Sequence, residues 1–449
     1  MSADKGPWVA MRREPWQARL GIGAMLLSAL TAAANLPQPF QSSTAAAVAL
    51  AALLASGSWP WRIFRSHPMP WLILALAAYC ALQSAAVAQQ VPSEDYLRQL
   101  TLAGNPLKVL VFACVFGIWL ARYPQWILRS LQLLAIGWLM WALANMPWTQ
   151  MTLIATGVLR LRLGYAENLT GAFAALCLVI GLYHAWQFRQ QSAGSSHAML
   201  IGDGWALLSL WSLAILLFAQ SRGAWIAAIA GAFVLWGMGR ESSREACIAP
   251  RRGRHGWLML ILMTLLITAY AVRPSVMQRM GSGGASAFRV LAGSPITAAA
   301  PSVGLRIELW RFAIERIAAH PFRGYGLASI QPMLVRSGIQ WQGYVPPHLH
   351  NTPLQVAVGL GLPGLALAAS AFLLPLYDSF RAWQRQQTAR PQLSLLLALA
   401  MIFLMVNLFD YLAWSNDYMR APLEIVLGCA IGTSLRWRRD QESMSVALA

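Results

Sequence analysis

Apolar runs of roughly 17 to 25 residues recur along this chain, separated by short polar or basic loops. A run of that length in a bilayer must satisfy its own backbone polar groups, which a helix does and most other folds cannot. Composition agrees. The 449 residues are 57% hydrophobic and only 11% charged, against about a quarter charged in a typical soluble domain. The expectation is an all-α integral membrane protein with about twelve transmembrane helices. The spans fall near 19–36, 43–57, 70–89, 106–121, 125–146, 168–188, 203–219, 222–239, 256–272, 351–377, 392–414 and 419–435. Only a short "QSR" turn separates the seventh from the eighth, so these two are expected to form a tight hairpin. The first run follows a basic stretch with no small-residue cleavage site and reads as a retained helix.

Charge places the loops. The formal net charge of +18 is spread over many short loops rather than gathered on a soluble body, which argues against a nucleic-acid partner. With the N-terminus in the cytoplasm, Arg12, Arg13, Arg62, Arg65, Arg240 to Arg254, Arg381 to Arg390 and Arg436 to Arg439 all fall inside. Both termini are then cytoplasmic. The chain divides into helices 1–9 over 1–272, one long external loop over 273–350, and helices 10–12 with a tail over 351–449. Within the loop, "SVGLRIELWRFAIERIAAHP" carries apolar residues at helical spacing and predicts an amphipathic helix ended by Pro321. The Gly-, Ser- and Ala-rich 281–302 before it predicts a mobile loop. Five single cysteines show no metal spacing. No Asp-x-Asp pair is present, and the external acids are scattered in sequence, so no metal and no cofactor are expected. Asp410 stands out as an acid inside a predicted span.

The stretch "PPHLHNTPLQ" (346–355) carries the candidate chemistry. Pro346 and Pro347 enforce an extended approach, and the apolar run beyond Leu354 puts His350 and Asn351 at the outer start of a helix. Asn351 or Thr352 is the expected N-cap. The positive end of the helix dipole disfavours an imidazolium, so His350 is expected as a neutral imidazole able to take a proton. The alternative is an interfacial histidine that bonds lipid headgroups or caps the helix. His348 projects the same way in an extended segment, either assisting or simply solvated. Arg160, Arg162, Arg222, Arg306 and Arg311 all fall on the external side, where together they would surround an anion at the membrane boundary. A snorkelling role is the alternative for Arg222. Arg306 and Arg311 are five apart and share no face closely, so one would bind ligand while the other pairs with Glu308 or Glu315. Trp310, Trp341 and Tyr344 would stack on sugar rings or simply anchor the interface.

Three stretches carry a resemblance. His350 and Asn351, nine residues, Gly361, two residues and Gly364 fill a His-Asn-x9-Gly-x2-Gly pattern. "FAQSRGAWIAAIAG" (218–231) holds a Ser-Arg-Gly segment, and "GLRIELWRFAIERIAAHPFRGYGLASI" (304–330) an Arg-x-x-x-Trp helix followed by His-Pro and a Gly-x-Gly turn. A weaker match is "LRLRLGYAENLTGAFAA" (159–175). In that order they resemble the O-antigen ligase and polymerase family of bacterial envelope glycosyltransferases, over roughly 205–375. The resemblance implies a GT-C-like membrane glycosyltransferase in the bacterial inner membrane, its site facing the periplasm. The implied donor is O-antigen on undecaprenyl diphosphate and the implied acceptor is lipid A-core, with transfer inverting and metal-independent. His350 would be the catalytic base and the five arginines would hold the diphosphate. His348, Asn351, Ser221 and Gln355 would support them. A polymerase or a protein O-oligosaccharyltransferase shares the motifs, and chain length and span layout favour the ligase. A non-catalytic polyprenyl-lipid binder or transporter is the reading from another class.

Overall fold

A computed structural model describes residues 14–32, 42–57, 67–88, 96–191, 196–244, 301–340, 344–385, 390–411 and 417–448. The described residues form helices and no strand. In chain order these are α1 (Trp16–Thr31), α2 (Ser42–Leu54), α3 (Met69–Val87), α4 (Tyr96–Arg122), α5 (Trp126–Ala144), the short α6 (Met151–Ala155), α7 (Glu167–Gln191), α8 (Ser196–Phe218), α9 (Arg222–Arg244), α10 (Pro301–Ala319), α11 (Ile330–Ser337), α12 (Thr352–Arg385), α13 (Arg390–Phe409) and α14 (Asp417–Leu448). Eleven of the twelve expected spans coincide with a helix. The ninth, 256–272, lies outside the described residues, as do 281–300 of the predicted 281–302 loop, Trp341 and many of the loop arginines; the last two residues of that loop, Pro301 and Ser302, instead open α10. Seven helices are long and apolar enough to cross a membrane: α3, α4, α5, α7, α8, α12 and α13. The remaining helices at expected spans are shorter in their apolar part or carry more charge, so twelve crossings stay an expectation.

Packing sorts the helices into tight pairs. α7 lies along α8, α4 along α14, and α9 along α13, while α12 touches α3, α10, α13 and α14. The predicted hairpin of the seventh and eighth spans is half right. The turn 219–221 is tight, but α8 and α9 share few contacts, because α8 is drawn to α7 and α9 to α13. Gln220 takes the left-handed conformation (φ 51°) to make the turn. Gly171 lets α7 approach α9: a Cβ there would lie 2.8 Å from the Ala224 Cβ.

α12 is broken at Gly361 (φ 72°, ψ 175°). The break frees carbonyls that a continuous helix would have used, and the segment after α10 docks onto them. Tyr325 N–H donates to Val358 O (2.9 Å), Gly326 N–H to Gly359 O (2.9 Å), and in return Leu362 N–H donates to Pro321 O (2.7 Å). α3 joins from the other side. Tyr79 Oη donates to Leu360 O and Phe322 O, and Gln83 Nε2 to Gly359 O. The amphipathic α10 ends at Ala319, just before Pro321, where the sequence predicted its end. This seam sets α10 over the start of α12, where the histidines lie.

Candidate active site

The loop 344–351 enters α12 through Asn351, the predicted cap. Asn351 Oδ1 accepts the Leu354 N–H (2.9 Å), while its Nδ2 donates to Leu408 O at the end of α13 (2.9 Å). Gln355 Oε1 accepts the Leu349 N–H (2.9 Å), pinning the loop between the two histidines. Thr352 Oγ1 donates to Asn407 Oδ1 (2.7 Å) and reaches Asp410 O. Held on both sides, His350 adopts φ 50°. Only Gln220 and His350 do so among described non-glycine residues, and both belong to this region. Such backbone costs about 1 kcal/mol or more and persists only where surroundings enforce it.

Asp410 is the residue that the sequence reading did not place in the site. Helix α13 ends at Phe409, so this acid follows the helix end and does not sit mid-span as expected. His350 Nδ1 lies 3.0 Å from Asp410 Oδ1. The same oxygen accepts the Tyr411 N–H (2.8 Å), and Oδ2 accepts from Asn168 Nδ2 (2.7 Å). Ser221 Oγ then donates to Asn168 Oδ1 (3.0 Å). A chain of hydrogen bonds thus runs Ser221–Asn168–Asp410–His350 and joins three of the four motif stretches. A carboxylate only accepts, so it fixes the proton on His350 Nδ1 and leaves Nε2 as the acceptor of a neutral ring. The signal available in the sequence was a lone acid beside an apolar span, which is usually functional.

Electrostatics bring in α10. Burial opposes charge on Asp410, but the hydrogen bond from His350, the charge that His350 and His348 carry when protonated, and Arg306 outweigh it and hold the carboxyl below its usual range. His348 is pushed down to about 4, first by burial, then by repulsion from His350 when that ring is protonated and from Arg306, against an opposing pull from Asp410. It is neutral at neutral pH. Its Nδ1 accepts the His350 N–H (3.3 Å), and its ring stands edge-on to that of His350 at 4.3 Å. His348 therefore braces His350 and is not merely solvated.

The arginines separate into groups. Arg306 acts on the histidine–aspartate cluster. Arg222 opens α9 directly after Ser221. Arg160 and Arg162 converge on Glu167, at 3.5 and 2.7 Å, and Arg160 also donates to the Ala219 and Gln220 carbonyls of the turn. Both thus pair with Glu167, and Arg160 also holds the turn. Arg311 is exposed and lines a separate groove with Glu308 and Glu315. Beside the turn, Gln220 Nε2 is buried with no hydrogen-bond partner among the described residues.

His348, His350 and Asp410 also offer donor atoms within 4.8 Å of one another, a spacing that suits a metal ion. In this arrangement the His348 Nδ1 and both carboxylate oxygens already accept protein hydrogen bonds. Those bonds orient His350 more directly than they prepare a chelate.

Residues 207–369 match the O-antigen ligase family. The chain is similar to two proteins named "Putative polysaccharide ligase". It is 36% identical over 74 residues to one from Rickettsia conorii, and 35% identical over 74 residues to one from Rickettsia felis. Each match covers 15% of this chain and 18% of the relative, so the chain spans less than a fifth of either relative's length.

Proposed function

We propose, from the premise that residues 207–369 belong to the O-antigen ligase family, that this membrane protein moves a polysaccharide from undecaprenyl diphosphate onto lipid A-core at the periplasmic face of the bacterial inner membrane. The observation that carries the reading is the His350–Asp410 pair at 3.0 Å within reach of the Arg306 charge. In this reading, a hydroxyl of the acceptor sugar approaches His350 Nε2. Asp410 holds the ring and stabilises the imidazolium formed as the proton is taken. The hydroxyl oxygen attacks the anomeric carbon and the carbon–oxygen bond to the diphosphate breaks, inverting that centre. Arg222 and Arg306, with Arg160 and Arg162 beside the turn, neutralise the departing diphosphate. Ser221, Asn351, Gln355 and His348 hold the frame. Arg311 falls to a different role.

Reconstitution into liposomes with lipid-linked polysaccharide tests this. The ligase reading predicts product on lipid A-core and none on a second lipid-linked repeat. Product only on the second repeat would make it a polymerase, and donor binding without either product would make it a lipid binder. Since His350 Nε2 acts as the base here, transfer is also expected to persist after exhaustive EDTA treatment. Loss restored by one divalent ion would instead make His348, His350 and Asp410 a metal centre.

A further inference from the structure

Beyond the transfer site, α10 and α11 enclose an open groove of about 720 Å³, also lined by Tyr325 in the segment between them. On α10, Glu308, Arg311, Phe312, Glu315 and Arg316 recur at three and four residues and form one stripe. Arg336 and Met333 face them from α11. The lining mixes guanidinium donors, carboxylate acceptors and aromatic faces. Arg311 and Arg336 form no ion pair among the described residues, and Arg316 reaches Glu315 only at 4.0 Å. Arg316 Nε is buried without an acceptor among the described residues, although its guanidinium lies over the Phe312 ring at 5.3 Å.

We propose that this groove is a saccharide subsite, holding a sugar of the glycan on which the transfer site acts. The inference rests on the transfer reading above. A pyranose presents hydroxyls that both donate and accept, together with an apolar ring face, and that combination matches this lining. A simple anion fits less well, because Glu308 and Glu315 repel it. The placement also suits. The groove shares α10 with Arg306, and at about 1.5 Å rise per residue it lies several to roughly 15 Å along the helix from that residue. A sugar several units from the reacting bond would rest there. Two sources supply such a chain, the donor polysaccharide and the acceptor oligosaccharide.

The test measures binding of two probes to the purified full-length protein in detergent: lipid-free O-polysaccharide and lipid-free core oligosaccharide. Binding of one of them, weakened about tenfold or more by Arg336→Ala or Glu308→Gln and undisturbed by millimolar inorganic phosphate, supports the subsite. The probe that binds identifies the source. Failure of both probes to bind, equal binding by both variants and the parent, or displacement by phosphate overturns it. His350→Ala separates the two readings, because it is expected to abolish transfer and leave glycan binding intact. If His350→Ala transfers normally while the groove variants lose glycan binding, the base assignment fails and the subsite stands.

Discussion

His350 has little freedom. Its backbone is locked by Gln355 and Asn351, its ring by Asp410, and its N–H by His348. Replacing the carboxylate by an amide, Asp410→Asn, keeps the shape and loses the charge that favours the Nδ1–H tautomer. Turnover is expected to fall about 10²- to 10⁴-fold while donor affinity holds, and an unchanged turnover number would remove Asp410 from the mechanism. His348 gives a second test. Burial lowers it from the ordinary 6.5 to about 4, so the unfolded chain binds this proton first as pH falls. Stability is therefore unaffected above about pH 6.5 and is lost between about 6.5 and 4. Thermal unfolding in detergent should show this loss, and His348→Gln should flatten it. A slope equally steep in that variant would assign the acid sensitivity elsewhere. The sequence made His350 and Asn351 legible, because a helix start after two prolines is a local pattern. It hid the meeting of Asp410 with His350 and of Asn168 with Asp410, which arises only when α13 packs against both α12 and α7.

At the scale of elements, the two motif glycines are structural. Gly361 breaks α12, and a Cβ there would fall 2.3 Å from Phe322 O. Gly364 sits under Leu360 and Tyr79. Gly361→Ala adds positive-φ strain to this collision and should cost about 1–3 kcal/mol. The segment 320–330 should become more open to protease than in the parent, and unaltered cleavage and melting would contradict the docking role. The predicted end of α10 at Pro321 was readable because proline stops helices without help from tertiary contacts. The divergence of α8 from α9 was not readable. A three-residue turn sets proximity at one point, while side-chain packing against α7 and α13 decides where each helix goes.

Across the whole molecule, α12 carries two polar clusters at its opposite ends. Near the far end, Asp378 is held by Arg438 through two bonds (2.6 and 3.0 Å), by Ser434, and by His67 at 3.7 Å. Asp378→Ala strips the partner from Arg438 and should lower stability by about 1–3 kcal/mol without touching the transfer chemistry. A lost turnover at intact fold would show the two ends to be coupled. The helical membrane class was legible from hydropathy alone, since the bilayer imposes it on sequence. The number of crossings was less so, because helices such as α1, α9 and α14 combine apolar and charged turns. The most direct measurement is polysaccharide transfer to lipid A-core by His350→Ala in liposomes, with insertion and donor binding checked in the same preparation. The account predicts normal insertion, retained binding of the lipid-linked donor and no product above background. Product formed at the parent rate would contradict it.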